Sequence, residues 1–462
     1  VKIFLTTRTF LPPFTGGVDV YAERLGHALA RLGHEVNFVA VDATANEDTP
    51  KIAVLAEHYQ GFPVWRLKFA LAQRPKLALD QAYDPEMGRL LKSLLAEQKP
   101  DLLLVLNFYQ ISLAAVEAAK ALSLPVVHIA TDFIPVCRRA TLIRWNGESC
   151  RVGESVKSCA ECFVSQRMPG RMAATMLNGL FSEATLKKLA EKRHSFPLNA
   201  FPLNVVRPYW EQVALMEKRL ALLQPLREQI DLVFTPTPFT SDMFLANGFR
   251  PEQIHLMPFG IDEQNPLENV IHIPAPHVRF LFIGRLQPYK GVHLLVEAFQ
   301  KLQNPQNATL TIYGKPDGYE EYFNTFMASI RDNPRIHFAG VIPPSELGRA
   351  FGESDYFILP SIWHENNPLI LLDALQANTP VIASDVGGVR DIVKEGRSGL
   401  LFPMGDVPAL QTILQKVIDQ PALKSQLQPK GHLPYIEAYA QAMLDLCFQK
   451  LGLNGHTGGF AL

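Results

Sequence analysis

The chain has 462 residues, 47% hydrophobic and 19% charged, with a formal net charge of -1. This is enough for two or three domains of ordinary globular composition. A balanced charge excludes a global field for nucleic acid, no apolar run approaches the roughly 18 residues of a membrane span, and five Cys in so long a chain do not make a disulfide framework.

Residues 2–6, Lys-Ile-Phe-Leu-Thr, read as a first strand and are too short for a signal-peptide core, so the expectation is a cytosolic protein. The following loop ends in Gly16-Gly17. A helix is predicted over 18–32 from Val18, Ala22, Leu25, Leu29 and Leu32, with Gly33 as its stop and a strand over 35–39. Gly16 and Gly17 either make a tight turn or let the backbone approach a ligand. The spacing is not G-x-G-x-x-G, which argues against a nicotinamide cofactor. Further strands are predicted at 101–106 and 125–130, joined by a helix over 113–122. The second ends in Thr131-Asp132, at the edge where open α/β sheets bind ligands. His128, inside that strand, is either a hydrogen-bonded core histidine or a site group.

From 137 to about 231 the pattern is irregular. Cys137, Cys150, Cys159 and Cys162 fall here. They read either as a zinc site stapling an insertion that lacks its own core, or as four reduced thiols. Arg167-Met168, Arg171-Met172 and 186–189, Leu-Lys-Lys-Leu, fit a solvated helical face, an anionic acceptor or a membrane surface. The sheet resumes at 230–235, a helix follows over 239–247, and 255–258 is a strand. The Pro-rich stretch 265–276 reads as the interdomain linker.

The second half opens with a strand at 278–283, the loop 284–291 and a helix over 292–302. Arg285 and Lys290 place two fixed cations in one strand-to-helix loop, where they would neutralise phosphate. Strands at 310–314, 336–340 and 355–360 follow. After the last comes Pro360 to Asp373, with Glu365 in a strand-end loop, Asn367 as expected cap, Pro368 at the first helical position and a helix over 369–376. A helix N-terminus attracts phosphate, while Glu365 and Asp373 suit sugar hydroxyls. The stretch suggests a ligand with a diphosphate and a polyol. A strand at 380–384, a turn at 386–389 and a last helix over 435–451 complete the pattern.

These residues resemble glycosyltransferase family 4, nucleotide-sugar-dependent enzymes of the GT-B fold. The matching pieces are Gly16-Gly17, the run 33–36, Asp132 and 259–262 in the first half. In the second they are Gly284-Arg285-Leu286, Lys290-Gly291, Pro360-Ser361, Glu365, 379–384, Gly387-Gly388 and 399–402. The cysteine insertion is similar to one in some members. The resemblance implies an α/β fold of two Rossmann-like domains whose parallel sheets face across a cleft. The domains would be 1–268, with the insertion at about 137–230, and 269–432, with 433–462 crossing back onto the first.

By the same resemblance, Arg285, Lys290, Glu365, Asp132 and His128 form the catalytic set. Gly16, Gly17, Gly284, Gly314, Asn366, Asn367, Pro368, Leu369 and Asp373 bind the donor. The usual second carboxylate is Glu where this chain has Asp373, and the usual His-Asp pair reads Thr131-Asp132. The implied activity is retaining transfer of a sugar from a nucleotide diphosphate to a saccharide or lipid-linked acceptor. Two protein cations replace a catalytic metal, and no Asp-x-Asp motif lies near the site. A nucleotide-sugar epimerase and a non-catalytic nucleotide-sugar binder are the alternatives. The expected location is cytoplasmic, with peripheral membrane contact as a variant.

Overall fold

Alternation of short apolar runs with amphipathic helices produces two sheets. The computed structural model describes residues 1–10, 16–43, 52–70, 82–150, 153, 155–164, 168–191, 203–262, 267–303, 305–316, 318–427, 429 and 433–453. These fall into two units. One is Val1–Thr235, Ser241–His255 and Met443–Leu462, and the other is Pro236–Thr240 and Leu256–Ala442. The reading of Arg167, part of the 265–276 linker and most of 428–432 and 454–462 lie outside the described residues.

The first unit holds β1 (Lys2–Thr6), β2 (Glu35–Asp42), β3 (Ala53–Tyr59), β4 (Phe62–Lys68), β5 (Leu102–Val105), β6 (Val126–Ile129), β7 (Leu232–Thr235) and β8 (Ile254–Leu256). Their order is β3-β4-β2-β1-β5-β6-β7-β8. β1 pairs in parallel with β2 on one side and β5 on the other, so the order reverses there. β3 and β4 form an antiparallel hairpin at the edge, which the sequence reading did not anticipate. Helix Gly17–Arg31 buries Tyr21, Ala22, Leu25, Ala28 and Leu29. Each such leucine contributes about 1.5–3 kcal/mol when fully buried.

The irregular segment is corrected by the structure. It contains helices Val156–Phe163, Met168–Leu180, Glu183–Glu191 and Leu203–Gln229. Val156, Ala160, Ala174, Leu186, Tyr209, Trp210, Val213 and Met216 form a core among them. Pro208 and Pro225 lie inside the longest helix; proline normally breaks a helix, which hid it from a pattern reading.

The second unit holds β9 (Val278–Ile283), β10 (Ala308–Tyr313), β11 (Ile336–Phe338), β12 (Tyr356–Leu359), β13 (Val381–Ser384) and β14 (Gly399–Phe402). The order is β11-β10-β9-β12-β13-β14, and the registered pairs are all parallel. Neighbours run outward from β9 in one direction and from β12 in the other. The unit begins at Leu256, before the expected boundary of 268, because Leu267 packs into its core and Ile261 bridges to Tyr435. Helix Ile436–Leu451 ends among residues of the first unit, from Met443 onward. Among the described residues no helix is long and apolar enough to cross a membrane.

Candidate active site

In the second unit, β9 and β12 are adjacent at the point where strand order reverses. Loops leaving their carboxyl ends open the crevice in which such sheets bind ligands. One loop runs from Gly284 through the 3-10 turn Pro288–Lys290. The other carries Ser361 to Pro368. The two are laced together. Ile362 N donates to Tyr289 O at 2.9 Å. Gly291 has φ +71°, and a Cβ there would lie 1.9 Å from Pro360 O, so only glycine fits.

This lacing sets Lys290 against Glu365. Lys290 Nζ donates to Glu365 Oε1 at 2.6 Å, and Ser361 Oγ donates to the same oxygen at 2.6 Å. The side chains are 15% and 7% exposed. Burial alone would raise the Glu365 carboxyl, but the Lys290 charge and the bonds from Lys290 and Ser361 outweigh it. They hold the group below its ordinary value. Lys290 Nζ also lies 5.1 Å from the Trp363 ring, and Trp363 packs against Tyr289 with centroids 4.5 Å apart. Arg285 is half-buried in the same loop as Lys290.

Glu365 is braced from behind. Gly388 N donates to Glu365 O at 3.0 Å, and a Cβ at Gly388 would lie 1.8 Å from Asn366 O. Asn366 accepts from Thr240, whose short segment Pro236–Thr240 belongs to this unit. Asn367 is buried, and its Oδ1 has no hydrogen-bond partner among the described residues, a polar orphan of the kind that ligands satisfy. The helix begins at Leu369, with Pro368 as cap, one residue later than expected. Proline's missing N–H and fixed φ suit it to a helix start, and such ends shift by a residue. Asp373 is 6% exposed within that helix. Gly284 and Gly314, at the ends of β9 and β10, approach so closely that a Cβ on Gly314 would lie 2.1 Å from Gly284 O.

In the first unit, the loop after β1 leads to Gly16, the cap of helix Gly17–Arg31, with φ -87° and ψ 166°. Neither Gly16 nor Gly17 has positive φ, and a Cβ at Gly17 would meet nothing within 4 Å among the described residues. The chain itself therefore does not demand glycine at 17. Asp132 accepts from Phe108 N at 3.2 Å and Ile134 N at 2.7 Å. Burial pushes its carboxyl up to about 6, against the pull of those two N–H groups. His128 is fully buried. Its Nδ1 lies 2.8 Å from Val105 O, and its ring sits 4.8 Å from Phe108 and 5.7 Å from Phe244. Burial lowers it to about 4 despite that hydrogen bond, so it is neutral at pH 7.

Residues 265–432 match the family "Glycosyl transferases group 1", and residues 16–156 match "Glycosyl transferase 4-like domain". The chain belongs to the family-4 type of glycosyltransferase. A D-inositol 3-phosphate glycosyltransferase of Jonesia denitrificans is 30% identical over 196 residues, 38% of this chain and 46% of that protein. The chain spans less than two thirds of the length of the curated relatives that it matches. Among solved structures, sucrose-phosphate synthase of Thermosynechococcus elongatus has a TM-score of 0.62 at 19% identity, covering 98% of this chain and 99% of that one. Anabaena HepE in complex with UDP and glucose has a TM-score of 0.56 at 15% identity, covering 97% and 95%. The fold is GT-B.

For a family-4 glycosyltransferase, the sequence signals bring Lys290 and Glu365 together and place Asn366, Asn367, Pro368 and Leu369 beside them. Cys159 and Cys162 lie on helix Val156–Phe163, and Cys137 and Cys150 lie in the loops before it. All four are half-buried. Among the described residues no three His, Cys, Asp or Glu side chains gather as metal ligands. The insertion has an apolar core of its own. Ser361, Tyr289 and Trp363 around the ion pair were missed as individual roles. Ser361 carried a signal as part of Pro360-Ser361, while nothing in the sequence singled out the two aromatics.

Proposed function

We propose that this family-4 glycosyltransferase moves a sugar from a nucleotide diphosphate to a saccharide or lipid-linked saccharide, with retention at the anomeric carbon and without a catalytic metal. The observation that carries this reading is the buried Lys290–Glu365 pair at the reversal point of the second sheet. A buried ion pair is weak support for stability, so its place in a ligand crevice favours a functional reason. The Lys290 ammonium has three donors, and Glu365 uses one. The others, with Arg285 and the N–H groups opening helix Leu369–Gln376, would stabilise charge developing on the departing diphosphate. Glu365, kept ionised, would accept from hydroxyls of the transferred sugar. The HepE complex with UDP and glucose supports a nucleotide-linked donor.

A sugar-nucleotide binder without turnover is the second reading, favoured by Asp373 at the usual Glu position and by the buried His128. The experiment is to incubate the protein with UDP-, GDP- and ADP-glucose and mannose in EDTA and follow the anomeric protons by NMR. Released or transferred sugar appearing first as the donor's own anomer supports the proposal. Inversion contradicts retention, and loss of turnover in EDTA restored by a divalent metal contradicts metal independence. Nucleotide binding with no turnover of any donor, with and without candidate saccharide acceptors, selects the binder.

A further inference from the structure

In the insertion of the first unit, helix Met168–Leu180 packs one side into the local core. Ala174 is fully buried there, and Leu177 lies against the same cluster. Asn178 Nδ2 donates to Glu161 Oε2 at 2.8 Å, and Asn178 Oδ1 accepts from Tyr209. The opposite side carries Met172, Met176 and Leu180, which are 65%, 61% and 67% exposed. Their spacing of four residues sets them in one row along the helix. Thr175 and Gly179 are exposed beside them. The helix sequence holds one charged residue, Arg171, and no acid. A surface helix normally turns a charged face to water. Single exposed apolar residues are common, but a contiguous row of three large ones marks an interaction surface.

Charge decides between the surfaces that could cover this row. Residues 137–194 hold eleven Arg and Lys against five Glu and no Asp, a net +6, whereas the whole chain stands at -1. Arg138 and Arg139 gather at the Phe163 ring, with guanidinium carbons 3.7 and 5.9 Å from its centroid. Arg144 lies 3.9 Å from Glu161. Glu161 Oε1 in turn accepts from Thr175 Oγ1, beside the row, at 3.0 Å. Lys188 is exposed on the next helix, Glu183–Glu191. A second copy docked here about a two-fold axis would set this basic surface against itself, with mutual repulsion. An anionic bilayer offers acyl chains to the row and counter-charges to the cations. With 13 residues the helix is about 20 Å long, too short for the roughly 30 Å of a bilayer core, so it suits the interface plane. We propose that the insertion is a membrane-docking element. Met172, Met176 and Leu180 enter the boundary between headgroups and acyl chains, and the Arg and Lys residues of the insertion hold anionic headgroups. The proposal does not depend on the nucleotide-donor reading.

The test floats the full chain with vesicles of phosphatidylcholine alone, and of phosphatidylcholine with about 30% phosphatidylglycerol. The proteins are wild type, a combined Met172→Ser, Met176→Ser and Leu180→Ser variant, and Ile271→Ser. Ile271 is 83% exposed in the second unit and is the control. Wild type should float with the anionic vesicles and far less with the neutral ones. Raising salt from about 0.1 M to about 0.5 M should weaken that binding. The triple variant should lose about tenfold or more in partitioning at unchanged Tm, because none of the three side chains is buried. Ile271→Ser should bind as wild type does. In wild type, the anionic vesicles should also slow peroxide oxidation of Met172 and Met176, read by mass spectrometry of their peptides, a measurement that needs no variant. The proposal is overturned if wild type does not float with anionic vesicles, if the triple variant floats equally well, or if vesicles leave the two oxidation rates unchanged. A dimer in sedimentation that the triple substitution dissolves, without vesicle binding, would overturn it in favour of a second copy on this face.

Discussion

Replacing Lys290 by Met should cost more stability than a surface lysine could. The Met removes the charge but keeps most of the stem beside Trp363. Glu365, 7% exposed, would then be a buried carboxylate with Ser361 as its remaining strong donor. Breaking a buried pair from one side costs about 3–5 kcal/mol. Because Lys290 retains 15% exposure and Ser361 still donates at 2.6 Å, the low end applies, about 3 kcal/mol. Removing both charges with Lys290→Met and Glu365→Gln should recover about 2 kcal/mol of that loss, the size of coupling seen between contacting groups. The pH dependence has a fixed sign. Glu365 in the wild type is held below its ordinary value, so the pair's contribution is full above the unfolded carboxyl value and fades as pH falls through the folded one. In Lys290→Met the carboxyl loses its counter-ion, burial raises it, and protonation relieves the penalty. The difference between the two proteins should therefore be largest at pH 7 and shrink toward pH 4. Urea unfolding followed by tryptophan fluorescence measures it, Trp363 being the reporter nearest the substitution. A single variant within about 0.5 kcal/mol of wild type at pH 7, or a penalty flat with pH, would refute the reasoning.

Gly291→Ala combines positive φ with an overlap on a backbone carbonyl and should cost about 2–4 kcal/mol. Gly396→Ala, at the same φ +71° with no neighbour within 4 Å among the described residues, should cost only about 1 kcal/mol; comparable losses in Tm for the two would contradict the close approach. His128 should make folding weaken as pH falls from 6.5 toward 4, because the unfolded imidazole takes a proton that the buried one refuses. The shift to about 4 corresponds to about 3 kcal/mol, and His128→Leu should flatten that part of the curve of Tm against pH. Asp132 acts with the opposite sign. Its raised value, about 6, favours the folded state below the unfolded carboxyl range and loses that contribution as pH rises through 6. Asp132→Asn should therefore remove a decline in stability between pH 4 and 6, and NMR titration of the carboxyl near its usual value would contradict the assignment.

Much of the second unit was legible because its signals are local. The strand runs at 278–283 and 355–360, the cations Arg285 and Lys290, and Glu365 before Pro368 each announce a role within a few residues. The helix at 369–376 was read to within one residue of its start because its apolar run follows a proline. What escaped depends on distance in sequence. Tyr289 meets Trp363 across two loops. The insertion was misread for a different reason. Pro208 and Pro225 lie inside a helix that its contacts with Val156, Leu186 and their neighbours nevertheless sustain.

The central claim is that the Arg285–Lys290 loop stabilises a leaving diphosphate. Turnover of the preferred nucleotide sugar by wild type, Arg285→Ala and Lys290→Ala, with chelator present and donor saturating, tests it directly. A loss of kcat on the order of 100- to 1000-fold in each variant, with nucleotide binding weakened far less, is the predicted result. Unchanged kcat in both folded variants would contradict the claim.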